Sequence, residues 1–270
     1  MHALRVTHEA LPRSVVAVGD GFWNLRGSFK IAGVLDIGTQ ASLVRRPGGG
    51  FVMLDACELD DETARWVWDT TQGGQALEAI LHLHPFHTLH VRSMHARFPH
   101  ARLYGTARHA RRAPELAWDD EHTDDDALHA RFADTLEFSV PRGVELIPDN
   151  ENLHFASVLA FHPASRTLHV DDTLNYVRLP KALHAIRKDV LRFHPTLARV
   201  LEARADASRE FEAWARELVQ RTRDVDNLCA AHGAVLLGRK NQGRPVSERI
   251  ERALGKLERT LHKHAQKHAG

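Results

Sequence analysis

The sequence predicts a layered α/β protein, and three observations carry that prediction. The N-terminal part is built of short, β-branched apolar runs separated by Gly- and Pro-rich turns. Helical periodicity then alternates with strand-like runs through the middle of the chain. After Asp172 the helical pattern dominates. Elements of both kinds in this order bury their apolar faces as stacked layers of helices and sheets.

The elements follow in order. "SVVAVGDGFW" is apolar up to a Gly-Asp-Gly turn, and "ASLVRRPGGGFVMLDA" is a hairpin whose glycines permit positive φ. "DDETARWVWDT" is a helix with acidic residues in its first turn, where they favour the helix dipole. "ALEAILHLH" is a strand ended by Pro85, "TLHVRSMHARFP" a short helix stopped at Pro99, and "ARLYGT" another strand. The acidic stretch Asp119 to Asp126 is a solvated loop. "LEFSVPRGVELIP" alternates like two strands around a Pro-Arg-Gly turn, and "HFASVLAFHPASRTLHVDD" is a hairpin turning at His162–Ser165. "PKALHAIRKDVLRF" and "SREFEAWARELVQRTR" have helical spacing, the second with Ser208 as N-cap. "NLCAAHGAVLLG" returns to a strand, and Val246 to His268 is a basic amphipathic helix with Ile250, Leu254, Leu257 and Leu261 on one face.

Composition narrows the functional classes. A net charge of +1 with His neutral argues against an extended nucleic-acid surface. No apolar run reaches the roughly 18 residues of a spanning helix, and the N-terminus lacks a signal-peptide pattern. Cys57 and Cys229 give no disulfide framework, so a cytoplasmic location is expected. The one oddity is a count of 20 histidines.

Three of them stand in "LHLHPFH", at His82, His84 and His87. Residues two apart on a strand share a face, so His82 and His84 are expected to point together, with His87 swinging back past Pro85. Imidazole suits zinc, iron, nickel and copper. In a chain this rich in histidine, His-x-His-x-x-His arises by accident roughly 0.1 times, so downstream ligands must decide. They recur at strand edges: His154 opens a hairpin strand, Asp171 and Asp172 close its partner, and His232 precedes Gly233.

In that order these residues resemble the metallo-β-lactamase-fold hydrolase superfamily, whose pattern is His-x-His-x-Asp-His, a single His, an Asp and a final His. The likeness covers most of residues 15 to 240, including the opening hairpin ending at Asp55 and the central hairpin. It implies a four-layer αβ/βα sandwich, with extra C-terminal helices, and a metal site on one edge of the two sheets. It also implies a domain over 1–240 with a helical insertion at about 179–223, and residues 241–270 packed on it. By resemblance His82, His84 and His154 hold a first ion, His87 and His232 a second, and Asp172 bridges and orients water. Zinc is expected, as one or two ions, with iron or manganese as alternatives. The implied chemistry is hydrolysis of a small-molecule ester, thioester, lactam or phosphoester by metal-activated hydroxide.

The chain departs from the pattern at one position. Phe86 stands where the family has Asp, and a phenyl ring neither binds metal nor accepts a proton. A weaker second site follows, and so does an alternative function: a non-hydrolytic metal- or ligand-binding protein of the same fold. His90 and Cys229 are the nearby substitutes, and Asp171 competes with Asp172 for the ligand role. His162, His169, His184 and His194 are assigned structural or exposed positions. The segment "GDGFWNLRGSF" with Phe22 and Trp23, the acidic loop, and Leu179 to Arg223 are candidate rims around the site. Homo-oligomerisation is open.

Overall fold

The computed structural model describes residues 10–31, 35–177, 189–241 and 243–269. Among these, two sheets carry the fold. The first holds β1 (Val15–Gly19), β2 (Phe22–Gly27), β5 (Thr39–Arg45), β6 (Phe51–Leu54), β7 (Leu77–Leu81) and β8 (Arg102–Tyr104), in the spatial order β1-β2-β5-β6-β7-β8. Between β2 and β5 a two-stranded excursion forms from β3 (Lys30–Ile31) and β4 (Leu35–Asp36). The second sheet has the order β15-β14-β11-β10-β9, from β9 (Glu137–Ser139), β10 (Leu159–His162), β11 (Thr167–Val170), β14 (Asn227–Ala230) and β15 (Val235–Leu236). β12 (Leu174–Val177) and β13 (Val190–Phe193) pair as a separate antiparallel ribbon.

Strand alternation explains the layering. In β6, Val52 and Leu54 face the second sheet while Phe51 and Met53 face outward; in β10, Ala160 faces in and Leu159 and Phe161 out. Three apolar clusters result. One lies between the sheets. One packs the first sheet against α1 (Asp61–Thr70) and α2 (Val91–Arg97), through Val67, Met94 and Phe98. The third packs the second sheet against α5 (Leu197–Val200), α6 (Ala207–Arg221), α7 (Val246–Gly255) and α8 (Glu258–Lys267), through Phe211, Trp214, Ile250 and Leu254. The result is a four-layer αβ/βα sandwich. α3 (Ala107–Arg112) and α4 (Asp126–Arg131) cover the end of the first sheet. Asp60 caps α1 by accepting from the Thr63 amide at 2.7 Å.

Several expectations are corrected. The described end of "PKALHAIRKDVLRF" is strand β13, and Pro180 to Lys188, with His184, lies outside the described residues. Only the first half of "LEFSVPRGVELIP" is a strand; Val144 makes just an isolated bridge to Leu201. Asp206, not Ser208, precedes α6, and Ser208 is buried inside it. The C-terminal run is two helices, α7 and α8, broken at Lys256–Leu257. The break lets Ile250, Leu254 and Leu261 all reach the core beside α6. Phe22 is fully buried between the sheets and Trp23 packs on Phe51 and Trp66, so neither lines the edge. The acidic loop is not free: Thr123 is buried, its hydroxyl donating to the His82 carbonyl at 2.9 Å. No helix among the described residues is long and apolar enough to cross a membrane.

Candidate metal centre

The chain leaves the first sheet after β7, and the second sheet after β11 and β14, at one common edge. Those exits carry His84 and His87, then Asp171 and Asp172, then His232. Asp172 is the point of convergence. Its Oδ2 lies 3.2 Å from His84 Nε2 and 3.5 Å from His87 Nε2, and its Oδ1 lies 3.2 Å from His232 Nε2. The His84 and His87 rings stack at 4.1 Å. Yet His84 Nε2 and Asp172 Oδ1 are buried without an aligned hydrogen-bond partner. Two atoms each about 2.0–2.2 Å from one tetrahedral zinc lie roughly 3.4 Å apart, which is the spacing seen here. His84, His87 and Asp172 thus form a group placed to hold a metal ion.

The surrounding contacts hold these ligands in place. His232 Nδ1 lies 2.8 Å from the Gly38 carbonyl; donating there turns the bare Nε2 toward Asp172. Arg26 reaches from β2 to the carbonyls of Ala230 (2.9 Å), Ala231 and Gly233 (3.2 Å each), clamping the turn that carries His232. Gly233 has φ +98°, and a Cβ there would sit 2.1 Å from the Tyr176 carbonyl, so no other residue fits. His84 Nδ1 accepts from the Phe86 amide at 3.0 Å, so the metal-free imidazole carries its proton on Nε2.

Electrostatics follow from burial and from this crowding. Burial and the neighbouring His87 push His84 down. Burial also opposes charge on His87, but the nearby Asp172, Asp171 and Asp55 carboxylates outweigh it and raise that imidazole to about 9. Burial would raise Asp172, but His84, His232 and His87 hold it well below the usual carboxylate range. Burial and the Asp55 charge lift Asp171 to about 6.

The remaining sequence candidates take different positions. His154 lies in the loop before β10, stacked on Phe86 at 4.8 Å and 6.2 Å from the His84 ring. Its Nε2 is 2.7 Å from the Glu151 carbonyl, so it stands at the rim with Nδ1 uncommitted. His82 is not brought to the cluster. The alternation of β7 sends Leu81 and Leu83 between the sheets and Ile80 and His82 to the helix-covered face. The chain turns to the edge only at His84, so the expected shared face of His82 and His84 is lost. The His82 ring packs on His109 (5.2 Å) and Trp118 (5.6 Å), both nitrogens buried and unpartnered, and burial drives it down to about 3. His90 borders a small cavity beside His87 and Phe86. Cys229 faces the inter-sheet core, where burial raises its thiol to about 12. A groove of about 1140 Å³ opens onto Asp172, His154 and His232, walled by Phe29, Asn152, Arg192, His194 and Lys240.

A second group was missed in the sequence. Asp55, His169 and Asp171, all buried, place ligand atoms within 4.8 Å of one another. His169 Nε2 is 2.9 Å from Asp55 Oδ2 and its Nδ1 2.9 Å from the Ser42 hydroxyl, while Asp55 Oδ1 accepts from the Leu83 amide at 2.8 Å. The signal was present in "TLHVDD": His169 is polar within β11 and Asp171 follows two positions on, just past the strand's end.

No family model and no curated protein sequence matches the chain. Solved structures do. A metallo-β-lactamase from Erythrobacter litoralis, with β-mercaptoethanol in its active site, superposes with TM-score 0.58 at 14% identity, over 90% of this chain and 96% of its own. One from Pontibacter korlensis gives 0.54 at 14% identity, over 89% and 98%. FIM-1 from Pseudomonas aeruginosa, in a mono-zinc form, gives 0.53 at 13%, over 91% and 96%. The two facing sheets, their helical covers and this superposition agree: the chain has the metallo-β-lactamase fold.

Proposed function

We propose that the chain is a metal-dependent hydrolase of a small-molecule ester, thioester, lactam or phosphoester. Its ion, zinc in this reading, is held by His84, His87, Asp172 and His232. The observation that carries the proposal is the convergence of three imidazole nitrogens on one buried carboxylate without hydrogen-bond alignment. When bound, a divalent cation lowers the pKa of a water ligand toward neutrality and polarises an oxygen of the scissile bond. The chain's own residues do the rest. Asp172 fixes three rings at once, and Gly38 and Arg26 hold the His232 turn. His154 faces the groove with Nδ1 free to exchange a proton with a substrate. Arg192 and Lys240 place two cations on the groove, which also carries Asp36, and would favour substrates bearing an acidic group on their side.

His84→Ala and Asp172→Asn are expected to lose one equivalent of zinc together with hydrolysis of a mixed ester, thioester, lactam and phosphoester panel. Zinc content that is unchanged in both variants sinks the assignment. Zinc bound at this centre with no turnover as the zinc, manganese or iron form would instead favour the non-hydrolytic reading, to which Phe86 lends weight.

A further inference from the structure

We infer that the chain holds a second cation on the inner side of His87, between the Asp55 and Asp171 carboxylates, with the His87 ring spanning the two centres. The inference takes from the proposed function only the outer ion on His87 Nε2.

The ring itself suggests it. His87 Nε2 faces Asp172 at 3.5 Å, while its Nδ1 faces Asp171 Oδ1 at 3.7 Å, on the opposite side. Both gaps are long for hydrogen bonds and near the roughly 3.4 Å between two ligands of one zinc ion. The carboxyl groups of Asp55 and Asp171 offer oxygens within 4.8 Å of each other. Asp171 is 1% exposed, and its Oδ2 has no hydrogen-bond partner. Buried carboxylates in contact need an ion or a proton between them.

The surroundings are arranged to orient ligands. A single relay of donors runs inward: the Asn24 amide to Ser42 Oγ (3.0 Å), Ser42 to His169 Nδ1, and His169 Nε2–H to Asp55 Oδ2. That relay satisfies His169 and aims Asp55, the usual outer-partner arrangement behind a metal-bound carboxylate. Gln40 holds Asp171 from the other side, donating to its Oδ1 at 3.4 Å and to the Val170 carbonyl at 3.0 Å. Arg26 aims its guanidinium N–H groups at three carbonyls and not at the pair. Phe86 brings no carboxylate to the cluster; Asp171 brings one to the Nδ1 side of His87.

The test uses the full-length chain, stripped with chelator and reloaded with zinc. In crystals of the wild type, anomalous difference maps at the zinc edge should show a second peak between His87 and the Asp55–Asp171 pair. A second peak on the Phe86–His154 side, or one peak only, overturns the inference and leaves the two carboxyl groups sharing a proton. In solution, Asp171→Asn should lose the second equivalent of zinc and keep the first, read by elemental analysis per folded chain. His84→Ala should do the reverse. Unchanged zinc in Asp171→Asn defeats the inner centre alone; unchanged zinc in His84→Ala defeats the outer one. His169→Ala, which removes only the orienting partner, should weaken the second equivalent about 10–100-fold.

Discussion

Phe86 is held on both faces. The Arg108 guanidinium lies 4.3 Å from its ring centroid, and the His154 ring stacks beneath it at 4.8 Å. Arg108 also donates to the Pro85 carbonyl at 3.0 Å, so the stack fixes the turn that delivers His84 and His87. Phe86→Asp puts a carboxylate beside those rings with Arg108 already present to pair with it. Zinc affinity of the outer centre should then rise about tenfold in competition with a chelating dye; no gain would mean the position is too far from the ion to matter. His82 makes the opposite prediction. Its two nitrogens are buried without partners, a cost of about 1–3 kcal/mol that His82→Leu removes. The variant should melt higher and bind as much zinc as the wild type, and a loss of zinc would restore His82 to the ligand set. His87 governs the pH dependence. Zinc must displace a proton from an imidazole raised to about 9, so uptake at neutral pH should release protons. Apparent affinity should climb up to about tenfold per pH unit until about pH 9, where calorimetry in buffers of different ionisation heat should show proton release fading.

At the scale of elements, the site depends on how strands end. β14 stops at Ala230, and the next turn must present His232 while passing under the Tyr176 carbonyl, which only Gly233 allows. Gly233→Ala should cost more than about 1–3 kcal/mol in stability and weaken zinc binding together; thermal melting and zinc titration on the same preparation would detect both. Strand ends also mark the limit of what the sequence discloses. The sequence set His84, His87, Asp172 and His232 at turns after apolar runs, and the structure brings these four side chains together. His82 was misplaced because alternation was extended through a segment where the chain leaves the sheet. Asp55 was seen only as the close of a hairpin, and His169 was set aside as structural. Their role depends on pairing across the two sheets, between residues 114 positions apart, which no local pattern encodes. The ribbon β12–β13 was misread for a related reason: "DVLRF" fits a helix by spacing, and pairing with β12 decides otherwise.

Across the whole molecule, several imidazoles are kept neutral in the interior. Burial holds His169 and His162 at about 4 and His82 at about 3, against 6.5 in an unfolded chain. Their neutral forms contribute fully above pH 6.5, and the unfolded chain takes up more protons below it. Denaturant midpoints of the metal-free protein should therefore fall progressively from pH 6.5 toward 4, and a midpoint flat over that range would contradict the neutral assignments. His87 acts in the other direction: its ion pairs stabilise fully below 6.5 and fade as pH rises through about 9. The layered architecture was readable from period and order alone; the groove wall was read in part, since the rim candidate Leu179 to Arg223 holds Arg192 and His194, whereas Lys240 sits in a short turn that no periodicity marks. The common edge of the two sheets has one more consequence. His84 and His87 belong to the N-terminal half of the chain, Asp172 and His232 to the C-terminal half, so any ion they share is a further cross-link between two halves already joined by side-chain packing and by hydrogen bonds such as Gly233 N–H to the Ile37 carbonyl at 3.0 Å. Zinc should slow amide hydrogen exchange at the ends of β7, β11 and β14 together while leaving α1 unchanged, making the metal a fastener of the fold as well as an agent of its chemistry.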